Sequence, residues 1–300
     1  MGTTLASAAD PDALIGAAMP VRTALRIGTA ALQSAGVESP AADAEWLLAG
    51  VLGLSRSALA LDPHRAVGAP HDARYALALR RRMDREPLQH ILGTQAFRGL
   101  TVRVGPEAMV PRPETELLVE WALELLPRAP APLVLDLGAG TGCIACAIAV
   151  ERDDATVLAL ELSPAAVALA RANVGALGLD ARVTVVESDL FAALGGVRAD
   201  LIVANPPYLP SVVIPTLAPE VSRFDPQLAL DGGDDGLDVI RRIVAEAPAR
   251  LKQGGMLLLE TAGGSQMGTV GALLEAAGFT RVTARRDLAG VERFVAGGLD

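Results

Sequence analysis

Apolar positions recur at helical spacing through the first third of the chain, and the period then changes. Leu25, Ala31 and Leu32 form one stripe closed by Gly36, and Trp46, Leu47, Val51 and Leu52 form a second closed by Gly53. A third helix is predicted over Asp72 to Arg85. It carries Arg80, Arg81, Arg82 and Arg85, a run that reads as a solvated basic face. Residues 21–90 therefore predict an all-helical domain without strands, preceded by a loose arm over residues 1–20. Between Ile91 and Val110 the period falls to two, and Phe97-Arg98-Gly99-Leu100 supplies a turn, so 91–110 reads as a β-hairpin linker.

From residue 111 onward the pattern is that of an α/β domain running to residue 300. Pro113 suits a first helical position, and Glu114 and Glu116 favour the positive end of that helix. Leu133–Leu137, Val157–Glu161, Val183–Glu187, Leu201–Ala204 and Met256–Thr261 are short apolar runs with helical stretches between them, such as Pro164–Leu177 behind Ser163. Alternation of this kind predicts a Rossmann-like parallel sheet covered on both faces. The runs near Arg281–Arg286 and Glu292–Ala296 are joined too closely for a crossover, so they predict an antiparallel pair.

Composition narrows the partners. The chain has 300 residues, 51% hydrophobic and 20% charged, with 35 acids against 26 bases and a net charge of −9. A protein held to nucleic acid through phosphates would carry a basic stripe, and these totals argue against a direct nucleic-acid partner. Mean hydropathy is +0.37. The longest uncharged apolar run, Leu201 to Pro219, is broken by five prolines and cannot form one spanning helix. Met1 to Pro20 carries Asp10 and Asp12 and no basic leader, so it does not read as a secretory signal. Two cysteines fit a reducing, cytoplasmic setting, where a monomer suffices.

Val134-Leu135-Asp136-Leu137-Gly138-Ala139-Gly140-Thr141-Gly142 reads as a strand entering a glycine turn and then a helix. Glycines let the backbone bend sharply and let a ligand lie against it. Glu161 ends the next strand, about 20 residues on, where a carboxylate accepts ribose hydroxyls. A dinucleotide fingerprint would want glycine at position 143, which is Cys143, and Asp136 is an awkward neighbour for a pyrophosphate. A cofactor with a positive sulfonium and ammonium would welcome that acid, so S-adenosylmethionine fits better than NAD. Asp189 and Leu190 follow the third strand and are placed to accept from the adenine amino group and to pack on the ring.

Asn205-Pro206-Pro207-Tyr208 follows the fourth strand. The prolines lock φ and contribute no N–H, so the turn is stiff and its carbonyls are free. The Asn205 side-chain oxygen and the Pro206 carbonyl can each take one hydrogen of an –NH2 group, and Tyr208 can stack on a flat substrate. The nitrogen of a carboxamide or aminopurine is planar and a poor nucleophile. Two acceptors that hold its hydrogens out of plane aim its lone pair at the sulfonium methyl, and positioning of this kind can supply roughly 7–11 kcal/mol.

Together these residues make the chain resemble the HemK-type protein-(glutamine-N5) methyltransferases. The resemblance runs from about Ala42 to Ala296, through Asp43-Ala44-Glu45-Trp46-Leu47-Leu48, Pro87-Leu88-Gln89-His90-Ile91-Leu92-Gly93, Phe97 to Leu100, Pro111-Arg112-Pro113-Glu114-Thr115-Glu116, the glycine turn, Asn205 to Tyr208, and Leu230-Asp231-Gly232-Gly233-Asp234-Asp235-Gly236-Leu237. It implies methylation of the glutamine side-chain amide in the Gly-Gly-Gln loop of class-one peptide chain release factors, with S-adenosyl-L-methionine as donor. It implies that Gly138, Ala139, Gly140, Thr141, Gly142 and Glu161 bind the cofactor, with Leu190 at the adenine, where relatives often carry an aromatic. It implies that Asn205, Pro206, Pro207 and Tyr208 grip the glutamine, with Phe97 and Arg112 as further substrate contacts. Ala96 and Arg98 depart from the acid and the aromatic that usually flank the hairpin Phe. The helical domain is the expected docking surface for the release factor.

Other signals are discounted. Cys143 and Cys146 form a C-x-x-C without the intervening proline of a redox pair and read as core. Asp231, Asp234, Asp235 and Asp238 lack the alternating ligands of a calcium loop and read as turns, and no metal is expected. Two rival functions remain: an exocyclic-amine (adenine) DNA methyltransferase, which shares the Asn-Pro-Pro-Tyr logic but must flip a base, and a cofactor-binding module without chemistry.

Overall fold

The computed structural model describes residues 10–16 and 18–300, in two compact units. One holds the chain up to Gly93 together with Pro219–Phe224, and the other holds Thr94–Ala218 and Asp225–Asp300.

The first unit is built on α1 (Val21–Ser34), α2 (Pro40–Leu52), α3 (Arg56–Leu61), α4 (His71–Met83) and α5 (Leu88–Leu92). In α1, Val21, Ala24, Ile27, Ala31 and Leu32 are buried, a stripe at three- and four-residue spacing. Pro40 opens α2, and Gly53 closes it with φ +64°, a left-handed turn that favours glycine. Tyr75 of α4 is fully buried, and its hydroxyl donates to the Ala44 carbonyl at 3.2 Å.

Three expectations for this unit change. The arm over 1–20 is packed where it is described: Pro11–Leu14 form a 3-10 turn, Leu14 is buried, and Gly16 N–H donates to Asp72. Residues 1–9 and 17 lie outside the described residues. The unit also holds a two-stranded antiparallel pair, β1 (Met19–Pro20) with β2 (Ala66–Val67), too short to leave an alternating pattern. The arginine run is not simply a solvated face. Arg82 is buried between Asp43 and Glu220, Arg85 holds Glu220 from the other side, and Arg80 and Arg81 pair with Asp12 and Glu86. Trp46 faces outward with the Arg56 guanidinium over its ring.

The second unit opens with a hairpin, β3 (Thr94–Phe97) and β4 (Leu100–Arg103), narrower than the 91–110 expected. After α6 (Pro113–Leu125) come β5 (Leu133–Leu137), α7 (Cys143–Glu151), β6 (Thr156–Glu161), α8 (Pro164–Ala176), β7 (Val183–Glu187) and β8 (Ala199–Ala204). The short helix α9 (Pro219–Ser222) belongs to the first unit. The second continues with α10 (Asp238–Arg250), β9 (Leu251–Glu260), α11 (Ser265–Ala276), β10 (Thr280–Arg286) and β11 (Glu292–Gly298). The seven-stranded sheet has the order β10-β11-β9-β8-β5-β6-β7. β5 pairs in parallel with β6 and β8, and β9 pairs in parallel with β8. β11 is antiparallel to both β9 and β10, so it is the single reversed strand. The fold is a Rossmann-like sheet with one strand reversed.

Successive strand residues face opposite sides. Leu135, Leu137, Ile202, Leu257 and Leu259 pack in one buried cluster with Ile240 and Val270, while Val134, Leu201, Val203 and Leu258 pack in the other with Ile144 and Val167. Strands buried on both faces read as continuous apolar runs, which is why the pattern was visible. The outermost strand β10 is exposed along most of its length and carries Arg281, Arg285 and Arg286, charges that blunt an edge against further pairing. No helix of the described residues is long and apolar enough to cross a membrane.

Strand order reverses between β5 and β8. Open sheets bind ligands outside the carboxyl ends of strands at such a point.

Candidate active site

The turn after β5 is built by glycine. Gly138, Gly140 and Gly142 have φ of +67°, +54° and +78°. Gly138 and Ala139 donate their N–H groups to the Leu160 carbonyl at 2.8 and 3.1 Å, which ties the turn to the end of β6. A Cβ on Gly138 would meet nothing within 4 Å, so its open face can take a ligand. Glu161 at the same strand end is held from two sides. Its Oε2 accepts from Gly140 N–H and its Oε1 from Ser163 N–H, both at 2.8 Å. The carboxylate is thereby aimed before any ligand arrives, and each oxygen keeps a lone pair for a hydroxyl. Asp136 lies behind the turn, fully buried, with Oδ2 accepting from Ala145 N–H at 3.1 Å. Burial pushes its carboxyl up to about 7, so its expected service to a positive ligand would have to act through the turn.

The Asn-Pro-Pro-Tyr turn follows β8 and is braced on both sides. Asn205 Nδ2 donates to Thr115 Oγ1 at 3.1 Å, and Thr115 Oγ1 donates to Glu260 Oε2 at 3.0 Å. Tyr208 Oη donates to the other carboxylate oxygen, Glu260 Oε1, at 3.2 Å. Thr115 and Glu260 are 2% and 1% exposed, so this is a buried chain of polar groups. Burial pushes Glu260 up to about 7 against the pull of the two hydroxyls, and burial together with the Glu260 charge pushes the Tyr208 phenol up as well. Behind the turn, Gln266 Nε2 donates to the Tyr208 carbonyl at 2.9 Å. Leu209 and Leu230, Gly232 and Leu209, and Ser211 and Gly233 are joined by backbone hydrogen bonds, so the glycine-rich 230–236 segment forms the back of the turn. Thr115, Glu260 and Gln266 were absent from the sequence-based site. Thr115 lies in the quoted Pro-Arg-Pro-Glu-Thr-Glu motif, which was the one available signal.

A cavity of about 310 Å³ opens against both turns. Of the residues expected at the cofactor, Gly138, Ala139, Gly140, Thr141, Glu161, Asp189, Leu190 and Asn205 line it, and so do Pro207 and Thr115. Gly142 does not; it caps α7, where a Cβ would sit 3.3 Å from Ala170. Pro206 and Tyr208, between and beside Asn205 and Pro207 in the same turn, are not among the lining residues. Phe97 is corrected: it is 1% exposed in the core and does not reach the cavity. Arg112 precedes α6 with Nη2 donating to Asp225 at 2.7 Å, and its neighbour Pro111 lines the wall. Asp189 is already engaged by Arg242, whose Nη2 lies 2.9 Å from both carboxylate oxygens. Leu190 holds φ +49°, a strained region for a branched side chain, and Ser188 Oγ donates to its carbonyl at 2.7 Å. The wall also includes Glu107, Ala108 and Met109 ahead of α6, and Leu228 and Ala229, none of which the sequence pattern marked. Cys143 and Cys146 are buried, and burial pushes both thiols up to about 12, as core cysteines.

The family model described as PrmC N-terminal domain matches residues 23–93, and the one described as methyltransferase small domain matches residues 114–214. Three relatives share the name release factor glutamine methyltransferase. That of Deinococcus radiodurans is 47% identical over 92% of this chain and 98% of its own length. That of Geobacter sulfurreducens is 44% identical over 89% and 92%, and that of Mycolicibacterium smegmatis 43% over 92% and 96%. Among solved structures, the 16S rRNA N2 G1207 methyltransferase of T. thermophilus, in complex with AdoMet and guanosine, is similar with a TM-score of 0.51 and 25% identity over 69% of this chain and 50% of that one. A methyltransferase from Pyrococcus furiosus, with a TM-score of 0.50 and 17% identity over 67% of this chain and 89% of that one, shares the fold.

Proposed function

The chain belongs to the release factor glutamine methyltransferases, and from that premise we propose that its cavity takes S-adenosyl-L-methionine and methylates the N5 amide of the glutamine in a Gly-Gly-Gln loop. The residues fit such a donor. The turn is open at Gly138, and Glu161 stands in the wall with lone pairs for the two ribose hydroxyls. Leu190 packs against adenine, while Asp189 meets its amino group only by sharing with Arg242. When bound, the donor supplies a methyl group on a positively charged sulfur.

The protein's part is to present the amide. Asn205 Oδ1 and the Pro206 carbonyl each accept one hydrogen of the glutamine –NH2, which draws the nitrogen out of conjugation and turns its lone pair toward the methyl. Pro207 keeps the turn rigid, and Tyr208 orders it from behind. The amide nitrogen forms the new C–N bond, the C–S bond breaks with its electrons going to sulfur, and one N–H proton is lost to solvent. The helical unit is assigned the docking of the release factor in a monomeric cytoplasmic enzyme.

One observation carries this reading: Asn205 and Glu161 line the same cavity. The test is transfer of a labelled methyl group from S-adenosyl-L-methionine to a purified release factor, with duplex DNA in parallel. Asn205→Ala is expected to keep donor affinity and to lose turnover about 100-fold or more, the cost typical of a misplaced reacting group. Unchanged turnover, or methyl transfer to DNA alone, would refute it.

A further inference from the structure

An asparagine amide has two ends of nearly equal shape, and only one of them suits this reaction. Its oxygen must face the substrate –NH2; its own –NH2 there would set donor against donor. The side chain therefore needs a partner that recognises one end. Thr115 has one hydroxyl hydrogen and two lone pairs, and Glu260, when ionised, only accepts. With Thr115 Oγ1 3.0 Å from Glu260 Oε2, that hydrogen is committed to the carboxylate. Oγ1 then offers Asn205 only a lone pair, 3.1 Å from Nδ2. The Tyr208 hydroxyl at 3.2 Å occupies the second carboxylate oxygen and closes the chain of donors.

We propose that Thr115, backed by Glu260, is a positioning residue that holds the Asn205 amide with Oδ1 toward the glutamine –NH2. This role rests on the assignment of Asn205 to the substrate amide. It extends the site to the carboxyl end of β9, a strand the glycine turn and the Asn-Pro-Pro-Tyr turn do not touch in sequence.

Protonation of Glu260 loosens the arrangement. A carboxyl that donates to Oγ1 frees the Thr115 hydrogen to bond Asn205 Oδ1, and the amide then turns its –NH2 to the cavity. Facing Glu260 are Thr115 and Glu114 of α6, Tyr208 after β8, and Arg293 of β11, whose guanidinium is tied to Asp287 at 2.9 Å. With Glu260 pushed up to about 7 by burial, turnover at saturating substrate rises with pH through that region as the carboxyl ionises.

The experiment compares wild type, Thr115→Val, Thr115→Ser and Asn205→Ala, measuring kcat and KM for the release factor from pH 5.5 to 9 and donor affinity by calorimetry. Valine keeps the shape and removes the hydroxyl; serine restores it. Thr115→Val is expected to lose about 100-fold in kcat, the scale for losing one oriented polar group, with donor affinity unchanged and the limb near pH 7 gone. Thr115→Ser is expected to recover most of kcat and the limb. Wild-type turnover in Thr115→Val, a serine variant as impaired as the valine, or a limb that survives in Thr115→Val would each overturn the role of Thr115. An active Asn205→Ala would instead overturn the function on which it rests.

Discussion

Glu161 shows how much one side chain is asked to do. Both of its oxygens already hold backbone N–H groups, one on the glycine turn and one at the start of α8, so it organises the turn and faces the cavity at once. Glu161→Ala is therefore expected to weaken S-adenosyl-L-methionine binding about 10- to 100-fold, the loss of roughly 1.5–3 kcal/mol that follows hydrogen bonds to a charged group. Glu161→Gln should be little better, because an amide cannot accept from both N–H groups. Calorimetry that finds unaltered affinity in either variant would remove Glu161 from the ribose. Its place was legible because a carboxylate at a strand end after a glycine turn is a local pattern. Thr115 and Glu260 were not, because the bond between them spans 145 positions and only the sheet brings them together.

At the scale of elements, the loop behind the Asn-Pro-Pro-Tyr turn carries a test of rigidity. Gly236 has φ +78°, and a Cβ there would lie 2.2 Å from the Tyr208 carbonyl oxygen and 2.6 Å from Gln266 Nε2. Neither neighbour can withdraw, since Gln266 donates to that carbonyl. Gly236→Ala is expected to displace the turn, to cost about 1–2 kcal/mol from its backbone conformation alone, and to lower turnover more than tenfold. Methyl-transfer rates beside thermal melts check it, and a variant with full turnover would show that the turn tolerates movement. The seven strands were readable because burial on both faces leaves unbroken apolar runs. β1 and β2, two residues each, left nothing to read. Phe97 was a substrate contact only through the resemblance; the hairpin that carries it packs against the sheet unit, where Asn173 Oδ1 accepts from Arg103 N–H at 2.7 Å. The arginine run was misread for the opposite reason: Glu220, which neutralises Arg82 and Arg85, comes from 135 or more positions away.

Across the whole molecule, the shifted carboxyls pull the two units in opposite directions as pH changes. In the first unit, burial opposes ionisation of Glu220, but the hydrogen bonds from Arg85 and Arg82 win and hold it down to about 2, against an ordinary 4.5. Stability from this group is fully present above about 4.5 and is lost as pH falls toward 2, because the unfolded chain takes up the proton first. In the second unit, burial raises Glu260 to about 7 from 4.5 and Asp136 to about 7 from 3.8. There the folded state binds the proton more tightly, so stability is greatest below the ordinary values and falls as pH rises through about 7. Glu260→Gln removes the charge while keeping groups that can bond Thr115 and Tyr208. This variant is expected to melt about 4 °C or more above wild type at pH 8, with the gap closing as pH falls toward 4.5. Glu220→Gln should do the reverse, melting below wild type at pH 7 and converging with it near pH 2, since buried Arg82 then keeps the Asp43 carboxylate and the Glu86 carbonyl but loses its second carboxylate. Melting curves of the three proteins from pH 2 to 8 decide the matter: a Glu260→Gln gap that is flat across that range would show that Glu260 is not held protonated by its burial, and the coupling of its charge to the orientation of Asn205 would lose its physical basis.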